Sequence, residues 1–432
     1  MTQRTAFINA RLIDPATGLD APGGLLVEDG RIADMGPRLF NDARPKDAAI
    51  VDCANAVLSP GLIDMRVFTG EPGAEHRETL ASAGESAAAG GVTTFVMMPV
   101  TEPVIDDAAL VDFIRRRAAA KAKVNILPAA ALTQGLKGAH MAEIGLLQEA
   151  GAIAFTDADR TVASSLIMRR CLAYASNFDA LVIAHAEDPA LAAVGHMNEG
   201  SLANRMGLGG IPTAAEAMAV ERDMRLVELT GARYHLGQVS CAAALEVIAS
   251  AKARGLPVTC AVSAHHLVLN ENDVGEYKTF AKVSPPLRTE EDRKAMVEGV
   301  RAGIIDVIVS SHDPQAAETK RVPFAQAAYG AVGLETLLPA ALSLHHEAGL
   351  PLIDVLKRLT ANPAQVLRLP AGRLAKGAPA DLVLMDPGAP RRIDPQAFRS
   401  RSKNSPFKGR LLQGAVLRTV VAGKTVFEAA GS

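Results

Sequence analysis

The sequence is poor in cysteine, in charge of one sign and in long apolar runs. Its four cysteines are scattered and form no Cys-x-x-Cys pair, which argues against a disulfide framework and a cysteine-based zinc site. The 45 lysines and arginines are balanced by 47 aspartates and glutamates, so the basic excess of a nucleic-acid binder is missing. The chain shows no apolar run of about eighteen residues and no apolar leader at its start. We therefore expect a cytoplasmic protein that binds neither nucleic acid nor membranes.

What the chain does contain is enough apolar material for a large core. Hydrophobic residues make up 49% of its 432 positions, which argues against an intrinsically disordered chain. Both ends show short apolar stretches broken at glycine and proline, such as the pair that flanks the Asp29-Gly30 turn. This pattern predicts that residues 1–56 and 371–432 together form one small composite β-sandwich.

The middle of the chain, residues 57–370, alternates apolar strand patterns with amphipathic helical patterns. Eight candidate strands occur, at residues 57–68, 92–99, 124–132, 152–157, 180–187, 234–240, 257–267 and 305–314. Five of the intervening helical patterns lie at residues 108–122, 162–178, 214–230, 242–253 and 290–302. This alternation predicts an α/β fold, a (β/α)8 TIM-type barrel. An open doubly wound sheet is the rival, but no Gly-x-Gly-x-x-Gly motif follows the first strand.

Acidic and imidazole side chains gather where the candidate strands end. Active sites of such barrels lie at the carboxyl ends of the strands, so these positions are the place to look for chemistry. The strand-end segments include Asp64-Met-Arg66-Val-Phe68, Phe155-Thr-Asp157, His185-Ala-Glu187, His235-Leu-Gly-Gln238 and Ser311-His312-Asp313. Side chains of these types, gathered in one place, are typical of a metal-dependent hydrolase.

Six motifs, in this order and spacing, resemble class I dihydroorotase, a family of the amidohydrolase superfamily. They are Pro60-Gly-Leu-Ile-Asp64, Glu71-Pro72-Gly73, Phe155-Thr-Asp157, His185-Ala-Glu-Asp188, Pro285-Pro-Leu-Arg288 and Gly333-Leu-Glu-Thr336. The resemblance runs over nearly the whole chain. It implies the family fold, a (β/α)8 barrel with a composite β-sandwich, and a role in pyrimidine biosynthesis.

The metal positions that the resemblance implies are mostly altered. The family opens its site with His-x-His at the end of the first strand, and the ten histidines of this chain contain no such pair. Two of six ligand positions remain, Asp157 and His185. The other four carry residues unlike the family's ligands, namely Arg66, Phe68, Gln238 and Ser311, and Ser311 also replaces the family's general base. We therefore predict no bound metal, no other cofactor and no catalytic residue.

The substrate positions implied by the resemblance are altered as well. The family binds the substrate carboxylate with an arginine, an asparagine and a histidine, and these positions are Gly70, Val100 and Gln315 here. The bidentate hydrogen bonds that an arginine makes to a carboxylate are therefore lost at these places. Dihydroorotate would lack its usual contacts even if a metal were bound.

Two hypotheses concern what replaces the metal. In the first, the Arg66 guanidinium substitutes for the metal charge and forms a buried ion pair with Asp157. In the second, a single metal is held by His185 and Asp157 with help from Asp313 or His235. Asp313 lies two residues beyond the lost ligand, about 6.6 Å along an extended strand, which makes a ligand role difficult.

Some members of this family have lost their catalytic residues and act as partners of aspartate transcarbamoylase. The resemblance therefore implies a non-catalytic, dihydroorotase-like structural partner of aspartate transcarbamoylase that itself forms a homo-oligomer. The alternative is an active amidohydrolase with a rebuilt site, possibly holding a single zinc. Its substrate would be dihydroorotate or another cyclic amide or ureide.

Overall fold

The computed structural model describes residues 4–40, 45 and 47–430. Of the predicted sandwich, residues 1–3, 41–44, 46 and 431–432 lie outside the described residues. The strands are β1 (Arg4–Asp14), β2 (Leu19–Glu28), β3 (Arg31–Gly36), β4 (Ala49–Asp52), β5 (Val57–Pro60), β6 (Leu62–Val67), β7 (Val92–Met97), β8 (Asn125–Pro128), β9 (Val182–Ala184), β10 (Met197–Asn198), β11 (Gly210–Ile211), β12 (Tyr234–Leu236), β13 (Val258–Ser263), β14 (Val307–Val309), β15 (Leu382–Arg392), β16 (Leu411–Val421) and β17 (Lys424–Glu428).

The α-helices connect and cover these strands. They are α1 (Leu80–Ala89), α2 (Ala108–Lys121), α3 (Ile144–Glu149), α4 (Ser165–Ser176), α5 (Pro189–Ala192), α6 (Ser201–Met206), α7 (Thr213–Thr230), α8 (Ala242–Ala253), α9 (Ala264–Val268), α10 (Glu290–Arg301), α11 (Ala317–Lys320), α12 (Leu337–His346), α13 (Leu352–Leu359) and α14 (Ala361–Leu367). Several begin at residues that cap the free backbone N–H groups, including Thr79, Asp107 and Thr289. Among the described residues, no helix is both long and apolar enough to cross a membrane.

The central strands close into a parallel barrel. One side runs β6-β7-β8 and the other β9-β12-β13-β14. Phe155 bridges both Ala130, just beyond β8, and Val182 of β9, while Val67 at the end of β6 bridges His312 just beyond β14. Phe155 therefore supplies the fourth position of the eight-membered ring, and the predicted barrel is confirmed.

The predicted fourth strand, residues 152–157, is reduced to this bridging segment. Its ladder hydrogen bonds are nevertheless present, because the Phe155 N–H donates to the Leu181 carbonyl at 2.9 Å and the Phe155 carbonyl accepts from the Ile183 N–H at 2.9 Å. The chain then leaves the extended conformation at Ala158, whose φ is 60°. This turn follows directly after Asp157, which therefore lies at the barrel mouth.

Strands from both ends of the chain form one eight-stranded sheet. Its order is β17-β16-β15-β5-β1-β2-β3, with β4 paired to β1. Apolar side chains of both ends share one core, among them Leu12, Leu25, Leu58, Leu382 and Val420. Strand β5 joins this sheet, although the sequence places its residues at the start of the barrel; the division at 56/57 and 370/371 stays a prediction.

Candidate site at the barrel mouth

Arg66 is the central feature of the barrel mouth. It lies near the end of β6, a strand whose six residues are all buried, and only 3% of its surface is exposed. Its Nη1 donates to the Ala158 carbonyl at 3.1 Å, and its guanidinium carbon lies 5.2 Å from the centre of the Phe68 ring. The two residues at the family's His-x-His positions therefore contact each other through a cation–π interaction.

Gln238 joins the same cluster from the end of the sixth barrel strand. With its amide oxygen toward Arg66, Gln238 accepts a hydrogen bond from Arg66 Nε at 3.3 Å and another from the Ser311 hydroxyl. Its amide nitrogen then donates to the Ser284 carbonyl at 3.1 Å. This orientation satisfies both ends of the amide, whereas in the opposite one the oxygen would face only acceptors. The four positions thus form one connected series of contacts, from Phe68 to Arg66, from Arg66 to Gln238 and from Gln238 to Ser311.

Gly237 provides the space for this unit. A Cβ at this position would lie 3.3 Å from Arg66 Nη1, closer than an ordinary van der Waals contact. The guanidinium therefore reaches across the mouth from the first strand to the fourth and sixth. Arg66 can be singled out from the sequence alone. Gly237 cannot, because nothing in the sequence pattern shows that it lies next to Arg66.

The predicted ion pair between Arg66 and Asp157 is wrong. Both residues belong to the described part of the chain, and no ion pair joins them there. Asp157 instead accepts hydrogen bonds from the backbone N–H groups of Leu132 at 3.1 Å and Thr133 at 2.9 Å, and from the Thr133 hydroxyl. Burial raises the pKa of Asp157 in spite of these bonds. Three local donors therefore already hold the carboxylate.

The negative charges that act on Arg66 come from other residues. Burial lowers the pKa of the Arg66 guanidinium, while Asp159, Asp313 and Asp64 act in the opposite direction. Asp64 is fully buried, and burial raises its pKa to about 6. The barrel mouth is thus rich in carboxylates with an arginine as its internal cation, at the place where the family resemblance puts a metal ion.

The two histidines considered as ligands are separately engaged. His185 is buried with no hydrogen-bond partner at Nε2, which lies 3.9 Å from a Glu187 carboxylate oxygen. Burial acts to raise the pKa of Glu187, but the neighbouring His185, together with the charge of Arg288, outweighs this effect and lowers the pKa. His235 bonds to the Thr259 hydroxyl at 2.8 Å through Nδ1. Burial, together with the charges of Lys252 and Arg66, lowers the pKa of His235 to about 3, so this imidazole is neutral.

The Asp313 side chain is engaged by two other side chains of the mouth. Its carboxylate pairs with Arg77 at 3.1 Å and accepts a hydrogen bond from the Gln315 amide at 2.8 Å. Burial raises the pKa of Asp313 to about 6, although Arg77 acts against this shift. Gln315, at the position where the resemblance implies a histidine, thus orients the Asp313 carboxylate.

The other two altered substrate positions are built into the framework. A Cβ on Gly70 would lie 1.9 Å from the Ala74 carbonyl oxygen, and the Gly70 N–H donates to the Glu78 carbonyl at 2.9 Å. The loop after β6 is therefore folded too tightly to carry the family's arginine. Val100 packs against apolar residues at the end of β7. Gly70 and Val100 thus serve the packing of the loops at the mouth.

Sequence reasoning missed a buried histidine–glutamate contact beside the mouth. His312 and Glu78 are both fully buried, and His312 Nε2 lies 3.5 Å from a Glu78 carboxylate oxygen. His312 Nδ1 accepts from the Gly333 N–H at 3.2 Å, so the ring proton is on Nε2 and faces Glu78. Glu78 also accepts from the Ser400 hydroxyl. Gly333, which donates to His312, belongs to one of the six family motifs and was a possible signal for this contact. Nothing in the sequence indicates Glu78.

The residues at the mouth do not fit the metal that the family resemblance implies. Within the described ranges, no group of three or more histidine, cysteine, aspartate or glutamate side chains could hold an ion. A guanidinium repels a cation and has no lone pair to donate to one. The two retained family positions, Asp157 and His185, therefore lack the further ligands that zinc requires.

Comparison with known proteins agrees with the fold and the motifs. A family model described as dihydro-orotase-like matches residues 55–243, and an amidohydrolase family model matches residues 308–427. The protein named dihydroorotase in Anaplasma phagocytophilum (strain HZ) is 46% identical over 427 residues, 98% of this chain and 95% of that protein. The dihydroorotase of Ehrlichia canis (strain Jake) is also 46% identical, over 426 residues, with the same two coverages.

Solved structures agree with the barrel and the terminal sheet. L-hydantoinase (dihydropyrimidinase) from Arthrobacter aurescens superposes with a TM-score of 0.88 at 25% identity, over 99% of this chain and 96% of that one. Dihydropyrimidinase from Brevibacillus agri gives a TM-score of 0.84 at 21% identity, over 99% and 95%, which bears on the fold alone. With the six motifs, the two family models and relatives 46% identical over nearly their whole length, this chain belongs to the dihydroorotase family of the amidohydrolase superfamily.

Proposed function

We propose that this chain is a non-catalytic dihydroorotase-family protein of pyrimidine biosynthesis, located in the cytoplasm. It acts as a homo-oligomeric structural partner of aspartate transcarbamoylase. The observation that carries the non-catalytic part is the buried Arg66 guanidinium, which is bonded to Ala158 and Gln238. Metal binding lowers the pKa of water from about 15.7 to about 7, on the order of 12 kcal/mol of nucleophile activation. No described residue provides a comparable activation. The partner rests on the family resemblance.

A second candidate is an active amidohydrolase with a rebuilt site, which acts on dihydroorotate or another cyclic amide or ureide. The observation that favours it is the pair of buried imidazole nitrogens, Nε2 of His185 and of His235, that have no hydrogen-bond partner. The relatives' name, dihydroorotase, is consistent with this candidate as well. In it, His185 would be indispensable for turnover.

The metal content of the purified chain separates the two candidates. The protein is expressed without a histidine tag in zinc-supplemented medium and measured by elemental analysis, with His185→Ala as the matched variant. The non-catalytic proposal expects well under one metal per chain in both proteins and no hydrolysis of dihydroorotate. One metal or more per chain, lost together with turnover in His185→Ala, would establish the second candidate instead.

Co-purification with aspartate transcarbamoylase tests the partner separately. Both chains are expressed together and analysed by size-exclusion chromatography with light scattering. The proposal expects a complex whose mass is the same for the wild-type chain and for His185→Ala. Elution of the two proteins at their separate masses would contradict the structural partnership, even if the metal analysis supports a non-catalytic chain.

A further inference from the structure

A cavity outside the barrel mouth has the lining of a ligand site. Its volume is about 620 Å³, within the range of small-molecule sites. One wall is the segment after the seventh barrel strand, with Tyr277, Lys278 and Phe280. The opposite wall is the segment just before β16, with Lys408 and Arg410. None of these residues belongs to the six family motifs.

The charge of this cavity favours an anion. Its lining contains three cationic side chains, Lys278, Lys408 and Arg410, against the single carboxylate of Asp273, a surplus of two positive charges. Arg410 pairs with Asp273, whose second oxygen accepts the Asn270 N–H at 2.9 Å. Within the part of the chain that the structure describes, the ammonium groups of Lys278 and Lys408 have neither an ion-pair nor a hydrogen-bond partner. Two lysines are therefore free to bind a ligand.

The cavity also offers an apolar surface beside these charges. Phe280, Ala281 and Pro406 line it, and the Tyr277 ring stands at its edge, half exposed. Tyr277 adopts a left-handed backbone conformation with φ of 58°, which is unfavourable for a bulky residue. Its hydroxyl donates to the Met206 carbonyl at 2.9 Å, which holds the ring in place. The cavity thus places an aromatic ring, fixed by its hydroxyl, beside two exposed lysines without a charged partner among the described residues.

We propose that this cavity binds an organic phosphate that carries a flat ring, such as a nucleoside monophosphate. Lys278 and Lys408 bind the phosphate, and Phe280 and Tyr277 contact the ring by stacking, which tolerates different bases. The proposal concerns a different site from the barrel mouth and does not depend on the function proposed above.

Both walls of the cavity lead directly to the barrel mouth. On one side, Ser284 follows the cavity segment and accepts the hydrogen bond of Gln238, which contacts Arg66. On the other, Asn404 precedes Ser405 of the cavity, donates to the Asp313 carbonyl at 3.2 Å and accepts from the Gln315 N–H at 3.2 Å. A bound phosphate would therefore rest on the two segments that hold the altered site.

Titration calorimetry with the full chain tests this site. The probes are AMP and UMP, with adenosine and inorganic phosphate as partial ligands. We expect saturable binding of the nucleotides with Kd on the order of 10–100 µM, and at least about tenfold weaker binding of either partial ligand. Absence of saturable heat with both nucleotides would overturn the proposal. Phosphate binding as tight as that of AMP would overturn the role of the ring.

Variants at the cavity sharpen the test. The double variant Lys278→Gln/Lys408→Gln should bind AMP about tenfold or more weakly, whereas Lys357→Gln, an exposed lysine on α13, should bind it unchanged. Phe280→Leu keeps the apolar volume but removes the flat face, and we expect about fivefold or greater weakening. Thermal melts of each variant without ligand establish that the fold is intact. Equal AMP affinity in the double variant and in Lys357→Gln would refute the assignment.

Discussion

Two buried arginines at the mouth of the same barrel differ in how their charge is balanced. Arg288, from a retained family motif, lies 3.5 Å from the carboxylate of Glu216 and donates to the Ile211 carbonyl at 2.7 Å. Arg66, at an altered position, donates to the Ala158 carbonyl and has no carboxylate within ion-pair distance in the described chain. Both are almost inaccessible to solvent. The comparison shows that the retained motif provides a complete structural ion pair, while the altered position has a charge balanced only at longer range.

The largest effect is expected from breaking the complete pair. Arg288→Met should destabilise the fold by about 3–5 kcal/mol, because it leaves the buried Glu216 carboxylate without its partner. Chemical denaturation followed by circular dichroism measures the change. The double variant Arg288→Met/Glu216→Gln should recover part of the loss. A double variant no more stable than the single one would show that the pair is not the cause.

The second effect concerns the pH dependence that the acids around Arg66 impose. Burial raises the pKa of Asp64 from 3.8 to about 6, so the folded state keeps a proton that the unfolded state releases. The free energy of unfolding should therefore fall as the pH rises through this interval, by at most about 3 kcal/mol. Denaturation at pH 4 to 7 measures it, and Asp64→Asn should show a shallower decline. Parallel curves for both proteins would contradict the assignment.

Replacing the incompletely balanced arginine should cost less than replacing Arg288. Arg66→Met leaves no carboxylate at contact distance unpaired, and we expect a loss of about 1–2 kcal/mol near neutral pH. The loss should shrink toward pH 5, because Asp64 and Asp313 then take up protons and need less positive charge nearby. Denaturation at both pH values measures this. A loss equal to that of Arg288→Met would abolish the distinction between the two arginines.

The smallest effect is expected at a retained metal position. His185→Ala leaves a small cavity and removes the imidazole 3.9 Å from the Glu187 carboxylate, a contact too long for a hydrogen bond in this structure, so we expect a loss of about 1 kcal/mol. Metal content should be unchanged. Thermal melts with and without a chelator measure the stability, and elemental analysis measures the metal content. Stabilisation of the wild type, but not of His185→Ala, by added zinc would reveal a metal site.

Most of the fold was predictable from the sequence, because strand and helix patterns alternate regularly. The helix α8 coincides with its prediction, and α2, α7 and α10 differ from theirs by one residue at an end. The fourth strand was overestimated, because its apolar pattern extends over residues 152–157 while, of these described residues, only Phe155 bridges both neighbouring strands. The terminal sheet was predicted from turn signals, but the inclusion of β5 depends on pairing between distant segments.

The candidate site was predictable only in part. The sequence pointed to Arg66, Phe68, Gln238 and Ser311, because the family resemblance implies metal ligands at these positions, and that assignment stays a prediction. It did not predict their mutual contacts, and the expected pair with Asp157 was wrong. A carboxylate can pair with a guanidinium that is distant in sequence or accept hydrogen bonds from backbone N–H groups. Which of these occurs depends on the orientation of the side chain in the folded protein, which a sequence pattern does not give.

The sequence by itself determined the family, the barrel and the loss of the His-x-His pair, because these depend on residue types at fixed spacing. Only the tertiary structure decided how the charges at the mouth are compensated. It showed that Thr133 and its neighbour hold Asp157 and that Gln238 holds Arg66. It also brought Lys278 and Lys408, 130 positions apart, to one cavity. Electrostatic and hydrogen-bond energies fall steeply with distance, and the distances between remote residues are set only when the barrel closes.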